Sequence, residues 1–230
     1  MLAERLAAVE ERLRAACRRA GRSRADVTLV AVTKTATVEA AAALVELGVL
    51  DLGEGRPQEL WRKAVVLPTA RWHLVGPLQR NKIERTLPLV HRIHSAASLR
   101  LLTALEQEAK RQGRPVFVLL EINASREMNK QGFAPEEVLE LRPALAELKN
   151  VRVTGLMTMA AYEENPERCR PTFTALRELR DRLLESVGSA HPLNDLSMGM
   201  SNDFEIAVEE GATLVRIGTA LFAGCEGGEV

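Results

Sequence analysis

Apolar and polar positions follow two rhythms along the chain. Residues 2–20 place leucine, alanine and arginine at helical spacing and stop at Gly21, the pattern of an amphipathic helix closed by a glycine. Residues 27–32 then form a short, unbroken, β-branched apolar run, which suits a strand buried on both faces of a parallel sheet. The alternation repeats. Strand runs are expected at 49–53, 71–76, 89–95, 115–122, 151–156, 195–198 and 213–217. Between them the spacing predicts helices opening at Thr37 and ending near Gly48, at 56–66, 79–85, from Ser98 to 112, 135–148, 166–187 and from Asn202.

About eight strand–helix units in somewhat over 200 residues describe a single (β/α)8 TIM barrel with an extra N-terminal helix. One domain is expected over residues 1–230. An open doubly wound sheet is the alternative, but no GxGxxG follows the first strand. Lysine plus arginine and aspartate plus glutamate number 31 each. That balance argues against a nucleic-acid partner. No apolar run approaches the ~18 residues of a membrane span, so no membrane partner is expected. Cys17, Cys169 and Cys225 are widely spaced and form no metal-ligand pattern. They point to neither a disulfide framework nor a metal site, and to a reducing cytoplasm.

In a barrel, chemistry collects where strands end and the following loops begin. Lys34 follows the first run directly. Burial at a strand end would disfavour its ammonium, and a neutral amine is what Schiff-base chemistry with an aldehyde requires. The plainer reading pairs Lys34 with Glu54 or turns it to solvent. Lys63, Lys110 and Lys149 fall on helices and are expected to be solvated; Lys82 and Lys130 sit deeper in loops and are weaker candidates. Ser201 precedes a helix whose N-terminus it could cap, and Gly218-Thr219 follows the last strand. The loops after strands seven and eight of such barrels recurrently hold phosphate. Arg216 is a charge inside an apolar strand, so it needs a ligand or an ion partner such as Glu54 or Asp203. An aldehyde-reactive lysine, a phosphate cup and an arginine in one mouth suggest pyridoxal 5′-phosphate (PLP). A Schiff-base aldolase acting on a sugar phosphate remains open on the residues alone.

Several long stretches carry a resemblance. They are residues 31–34 (Ala-Val-Thr-Lys), 53–54, 72–82 (Trp-His-Leu-Val-Gly-Pro-Leu-Gln-Arg-Asn-Lys), 94–95, 155–159, 196–204 (Leu-Ser-Met-Gly-Met-Ser-Asn-Asp-Phe) and 215–219. In this order they resemble the YggS/PROSC group of PLP homeostasis proteins, which are similar to the N-terminal barrel of alanine racemase. The resemblance implies that Lys34 carries PLP, that Ser201, Gly218 and Thr219 hold its phosphate with Met200 and Asn202 beside them, and that Arg216 faces the pyridine nitrogen. It implies an intracellular carrier or buffer of PLP, with PLP and recipient PLP-dependent apoenzymes as its expected partners and no catalytic residue assigned. Three positions depart from the pattern. Gly55 stands where asparagine is usual, so that a ligand contact is either missing or replaced by Arg56; Ala96 and Ala97 replace a hydrophobic residue and aspartate; and Ala161 replaces a common proline.

An arginine at the ring nitrogen weakens the electron sink that turnover needs. Tyr162 is expected to be a loop anchor, and His73 and His94 to be satisfied by hydrogen bonds rather than to act as acids or bases. A low-activity PLP-dependent amino-acid racemase is the enzymatic alternative. No large apolar surface helix is evident, so a monomer is expected.

Overall fold

The computed structural model describes residues 1–125, 127, 131–185 and 191–223; Lys130, Cys225 and the expected helix positions 186–187 lie outside them. Eight parallel strands close into a barrel in chain order: β1 (Thr28–Val32), β2 (Asp51–Glu54), β3 (Arg71–Leu74), β4 (Arg92–Ala96), β5 (Val116–Glu121), β6 (Val151–Met157), β7 (Asp195–Ser197) and β8 (Leu214–Ile217). Closure is direct, with Thr28 opposite Leu214 and Ala31 opposite Ile217. Most strand positions are buried because helices cover the outer face and side chains fill the inner one.

The helices follow their local chemistry. Helix α1 (Leu2–Arg19) buries Val9, Leu13, Ala16 and Cys17, one stripe at helical spacing. Full burial of each aliphatic member contributes roughly 1.5–3 kcal/mol. The stripe packs against α2 (Val38–Glu46), α9 (Phe204–Glu209) and α10 (Thr219–Phe222). Arg12 also seals that contact, with Nη2 2.8 Å from Glu205 Oε2 and its guanidinium over the Phe204 ring. Thr37 and Ser98 accept the N–H groups that open α2 and α5 (Leu99–Gln112).

The expected helix over 135–148 is instead two short ones, α6 (Pro135–Glu140) and α7 (Arg142–Ala146). Pro143 has no N–H to continue the first, so the axis restarts there. Residues 79–85 likewise divide into a 3-10 turn (Arg80–Lys82) and α4 (Ile83–Thr86), and a 3-10 turn (Pro166–Cys169) precedes α8 (Arg170–Leu184). The remaining helix is α3 (Pro57–Val66). Among the described residues no helix is long and apolar enough to cross a membrane.

Candidate functional site

The strand ends converge on one cavity of about 960 Å³. Lys34 and Thr35 reach it from the turn after β1, Gly55 from β2, and Gly76 and Pro77 from β3; Ser95 reaches it from β4, and Glu121, Ile122 and Asn123 from β5. Met200, Ser201 and Asn202 follow β7; Arg216, Gly218 and Thr219 end β8. All seven residues singled out for cofactor contact therefore line the same space. Two glycines permit its shape. A Cβ on Gly76 would lie 2.1 Å from the Gly55 carbonyl oxygen, and Gly199, at φ +91°, lets the loop after β7 lie on Phe204 and Ala207 of α9.

Lys34 is exposed, not buried as its position suggested. The reason lies beneath it. Lys63 of α3, expected on a solvated face, is 1% exposed and takes the interior position itself. Its ammonium donates to Glu54 Oε1 at 2.6 Å, to the Thr33 carbonyl at 2.6 Å and to the Ala36 carbonyl at 3.1 Å. Thr33 Oγ1 donates to the same carboxylate oxygen at 2.6 Å. Thus Glu54 neutralises Lys63 rather than Lys34 or Arg216, and the ammonium ties down both ends of the four-residue turn that presents Lys34.

Arg216 is 4% exposed and makes no ion pair among the described residues. Its Nη1 donates to the Ser197 carbonyl at 2.9 Å and to Ser197 Oγ, and its Nη2 to the Thr158 carbonyl at 2.8 Å. Burial pushes its pKa down to about 10, against the more distant attraction of Asp203 and Glu121. It stays a cation at neutral pH, and neutral oxygens hold it.

Ser201 does not cap its own helix; that position falls to Asp203. Ser201 Oγ instead accepts the Ala220 N–H of α10 at 3.1 Å, stitching the loop after β7 to the loop after β8. The amide nitrogens of Ser201, Asn202 and Thr219 make no hydrogen bond within the described residues. Asn202 Nδ2 donates to the Glu163 carbonyl at 2.8 Å. Three open N–H groups, a buried guanidinium and an accessible primary amine form a donor set suited to an anionic aldehyde, and PLP is such a molecule.

Other expectations fare differently. Arg56 is exposed and absent from the cavity lining, so it does not stand in at Gly55. Tyr162 is 81% exposed at the cavity mouth and is no packed anchor. Lys82 does not reach the cavity. His73 and His94 are buried and hydrogen-bonded, away from the cavity. Cys17 and Cys169 are buried and form no disulfide among the described residues.

Glu121 was missed. It is 6% exposed, and burial raises its carboxyl above the usual range although Arg216 opposes the shift. A carboxylate ending the most apolar run of the sequence was the available signal. Strand β5 lies across the barrel from β1, so Glu121 approaches the cavity from the side opposite Lys34.

A closed parallel barrel with these features defines a class, and the comparisons with known proteins agree. The chain belongs to the alanine racemase N-terminal domain family, whose model matches residues 5–225. Within it the chain falls among the pyridoxal phosphate homeostasis proteins. It is 43% identical over 221 residues to the one from Aquifex aeolicus, covering 95% of this chain and 96% of the relative. A crystal structure of a protein from Bifidobacterium adolescentis superposes with a TM-score of 0.91 at 35% identity, over 96% of this chain and 94% of that one. PipY of Synechococcus elongatus, in its structure with PLP bound, gives 0.84 at 31% identity, over 97% of this chain and all of that one.

Proposed function

We propose that this chain binds PLP in the barrel-mouth cavity, as a Schiff base on Lys34, and serves PLP homeostasis in the cytoplasm as a monomeric carrier or buffer with little turnover. The observation that carries the reading is convergence. Lys34, the open amides beside Ser201, Asn202 and Thr219, and the uncompensated Arg216 come from three separate strand ends and line one cavity. Support also comes from the PLP held by PipY and from the homeostasis role in the names of the relatives.

When bound, PLP supplies an aldehyde that condenses with a primary amine and a ring that can accept electron density. The chain's own residues divide the remaining work. Lys34 offers its amine from a turn that Lys63 and Glu54 hold rigid. The loops after β7 and β8, joined through Ser201, would hold the phosphate with their N–H groups and the Thr219 hydroxyl, Gly218 allowing close approach and Met200 lying beside them. Arg216 would present a fixed positive charge to the ring nitrogen, which would disfavour its protonation and so limit turnover.

Adding PLP to the purified protein should produce a new absorbance band near the visible edge, absent from Lys34→Ala. The same band in Lys34→Ala would refute the assignment. A second reading, residual racemase-type activity on amino acids, is favoured by Glu121, a buried acid facing the cavity from the side opposite Lys34. It predicts α-proton exchange in deuterated water that Glu121→Gln abolishes; a broad amino-acid panel without exchange would remove it.

A further inference from the structure

A line of polar side chains crosses the barrel interior and ends at Arg216. At the far end Arg71 pairs with Asp51, with Nε 2.9 Å from Oδ1. Asp51 Oδ1 lies 3.0 Å from His73 Nε2, His73 Nδ1 lies 2.9 Å from His94 Nε2, and His94 Nδ1 lies 2.8 Å from Ser197 Oγ. Arg216 Nη1 donates to that same Oγ. Strands β4 and β7 are not neighbours, since β5 and β6 stand between them, so the link from His94 to Ser197 spans the interior rather than following the sheet. Of these residues only Arg216 lines the cavity.

The protons along this line have one consistent arrangement. Burial opposes ionisation of Asp51, yet the hydrogen bonds from Arg71 and His73 hold its carboxyl well below the usual range. It is therefore an acceptor only, and His73 Nε2 must carry the proton. Burial lowers the pKa of both histidines, so each is a neutral ring with a single N–H. His73 Nδ1 is then an acceptor, and His94 Nε2–H donates to it. His94 Nδ1 in turn accepts the Ser197 hydroxyl proton, which leaves the Ser197 oxygen lone pairs free for the guanidinium. The reverse arrangement would set a bare His73 nitrogen against a carboxylate oxygen, two acceptors 3.0 Å apart.

We infer that Asp51, His73, His94 and Ser197 are positioning residues for Arg216, forming a one-way hydrogen-bond wire through which a carboxylate at the rear of the barrel fixes the guanidinium that faces the cavity. Beside the two carbonyls that hold Arg216, the wire supplies a hydroxyl whose proton is committed to His94, so that towards the guanidinium it can only accept. Its proton arrangement holds whatever occupies the cavity; only the ligand arm of the test rests on the PLP reading.

Two-bond proton–nitrogen NMR on the ligand-free full chain, labelled with 15N-histidine, reads the tautomers. At pH 7 both His73 and His94 should be Nε2–H tautomers. Ser197→Ala should shift the His94 Nδ1 resonance, which loses its donor, and Asp51→Asn should change the tautomer populations of both rings. Either ring as the Nδ1–H tautomer or as imidazolium in the unmodified chain would overturn the wire. In the ligand arm, Ser197→Ala should weaken PLP binding ~10-fold, the scale of one charge-assisted hydrogen bond, while borohydride trapping on Lys34 at saturating PLP stays complete. Correct tautomers with unchanged PLP affinity in Ser197→Ala would overturn the positioning role. Failure of the unmodified chain to bind PLP would count against the functional reading and leave the tautomer result standing.

Discussion

The two sides of the barrel mouth handle buried charge in opposite ways. On the β1–β2 side, the Lys63 ammonium and Glu54 carboxylate are both almost wholly buried and cancel each other at 2.6 Å. On the β7–β8 side, Arg216 is equally buried but meets only carbonyls and a hydroxyl. A charge compensated inside the protein does structural work; the uncompensated one is the charge that the proposed function assigns to a ligand. The first arrangement fixes a turn and leaves Lys34 outward, and the second keeps a cation directed at the cavity.

Breaking the closed pair should have the largest effect. Lys63→Met strands the Glu54 carboxylate, which costs ~3–5 kcal/mol and lowers Tm by ~6–20 °C for a chain of this size. Calorimetry should also show that adding Glu54→Gln recovers much of the loss; equal melting of Lys63→Met and the unmodified protein would deny the pair its structural role. Breaking the open site should act on binding instead. Arg216→Met should weaken PLP binding ~10–100-fold with a much smaller change in Tm than Lys63→Met gives. If the two variants traded these phenotypes, the contrast would be wrong.

Acid should sharpen the comparison, because it attacks the supports of Arg216. His73 and His94 have folded pKa values below their ordinary value, chiefly through burial. Below about pH 6.5 the unfolded chain therefore binds more protons than the folded one, so stability is full above that pH and falls as pH drops toward the folded values. Each histidine contributes a slope of up to ~1.4 kcal/mol per pH unit. Denaturant midpoints from pH 7 to 5 should follow this decline, and His94→Gln should flatten it. The smallest effect concerns Glu121, whose pKa is raised. Its folded form holds the proton more tightly than the unfolded chain, so its ionisation costs stability as pH rises through the folded pKa. Glu121→Gln should raise Tm by ~1–3 °C at pH 7 and leave it unchanged near pH 3.5; a lower Tm at pH 7 would show that the ionised carboxylate is satisfied.

The barrel was legible because parallel strands buried on both faces leave continuous apolar runs such as 27–32 and 115–122, separated by helical spacing. That the strand-end residues share the barrel mouth was legible for the same reason, and Arg216 is buried as a charge inside an apolar run should be, but the exposure of Lys34 was not legible. Lys63 was not read correctly, although it sits between Leu60 and Ala64 on the buried face of α3; a lysine within that stripe was the missed signal. Ser201 bonding across to Ala220 depends on how two loops meet, which no local pattern encodes. The His73–His94–Ser197 line depends on barrel closure bringing β4 and β7 within reach, and sequence spacing carries none of that.

The central claim is that one amine captures PLP. Borohydride reduction of the protein mixed with PLP, followed by peptide mapping, tests it most directly. The account predicts a pyridoxyl group on Lys34 and none on the buried Lys63. Labelling at another lysine with Lys34 unmodified, or no labelling at all, would contradict it.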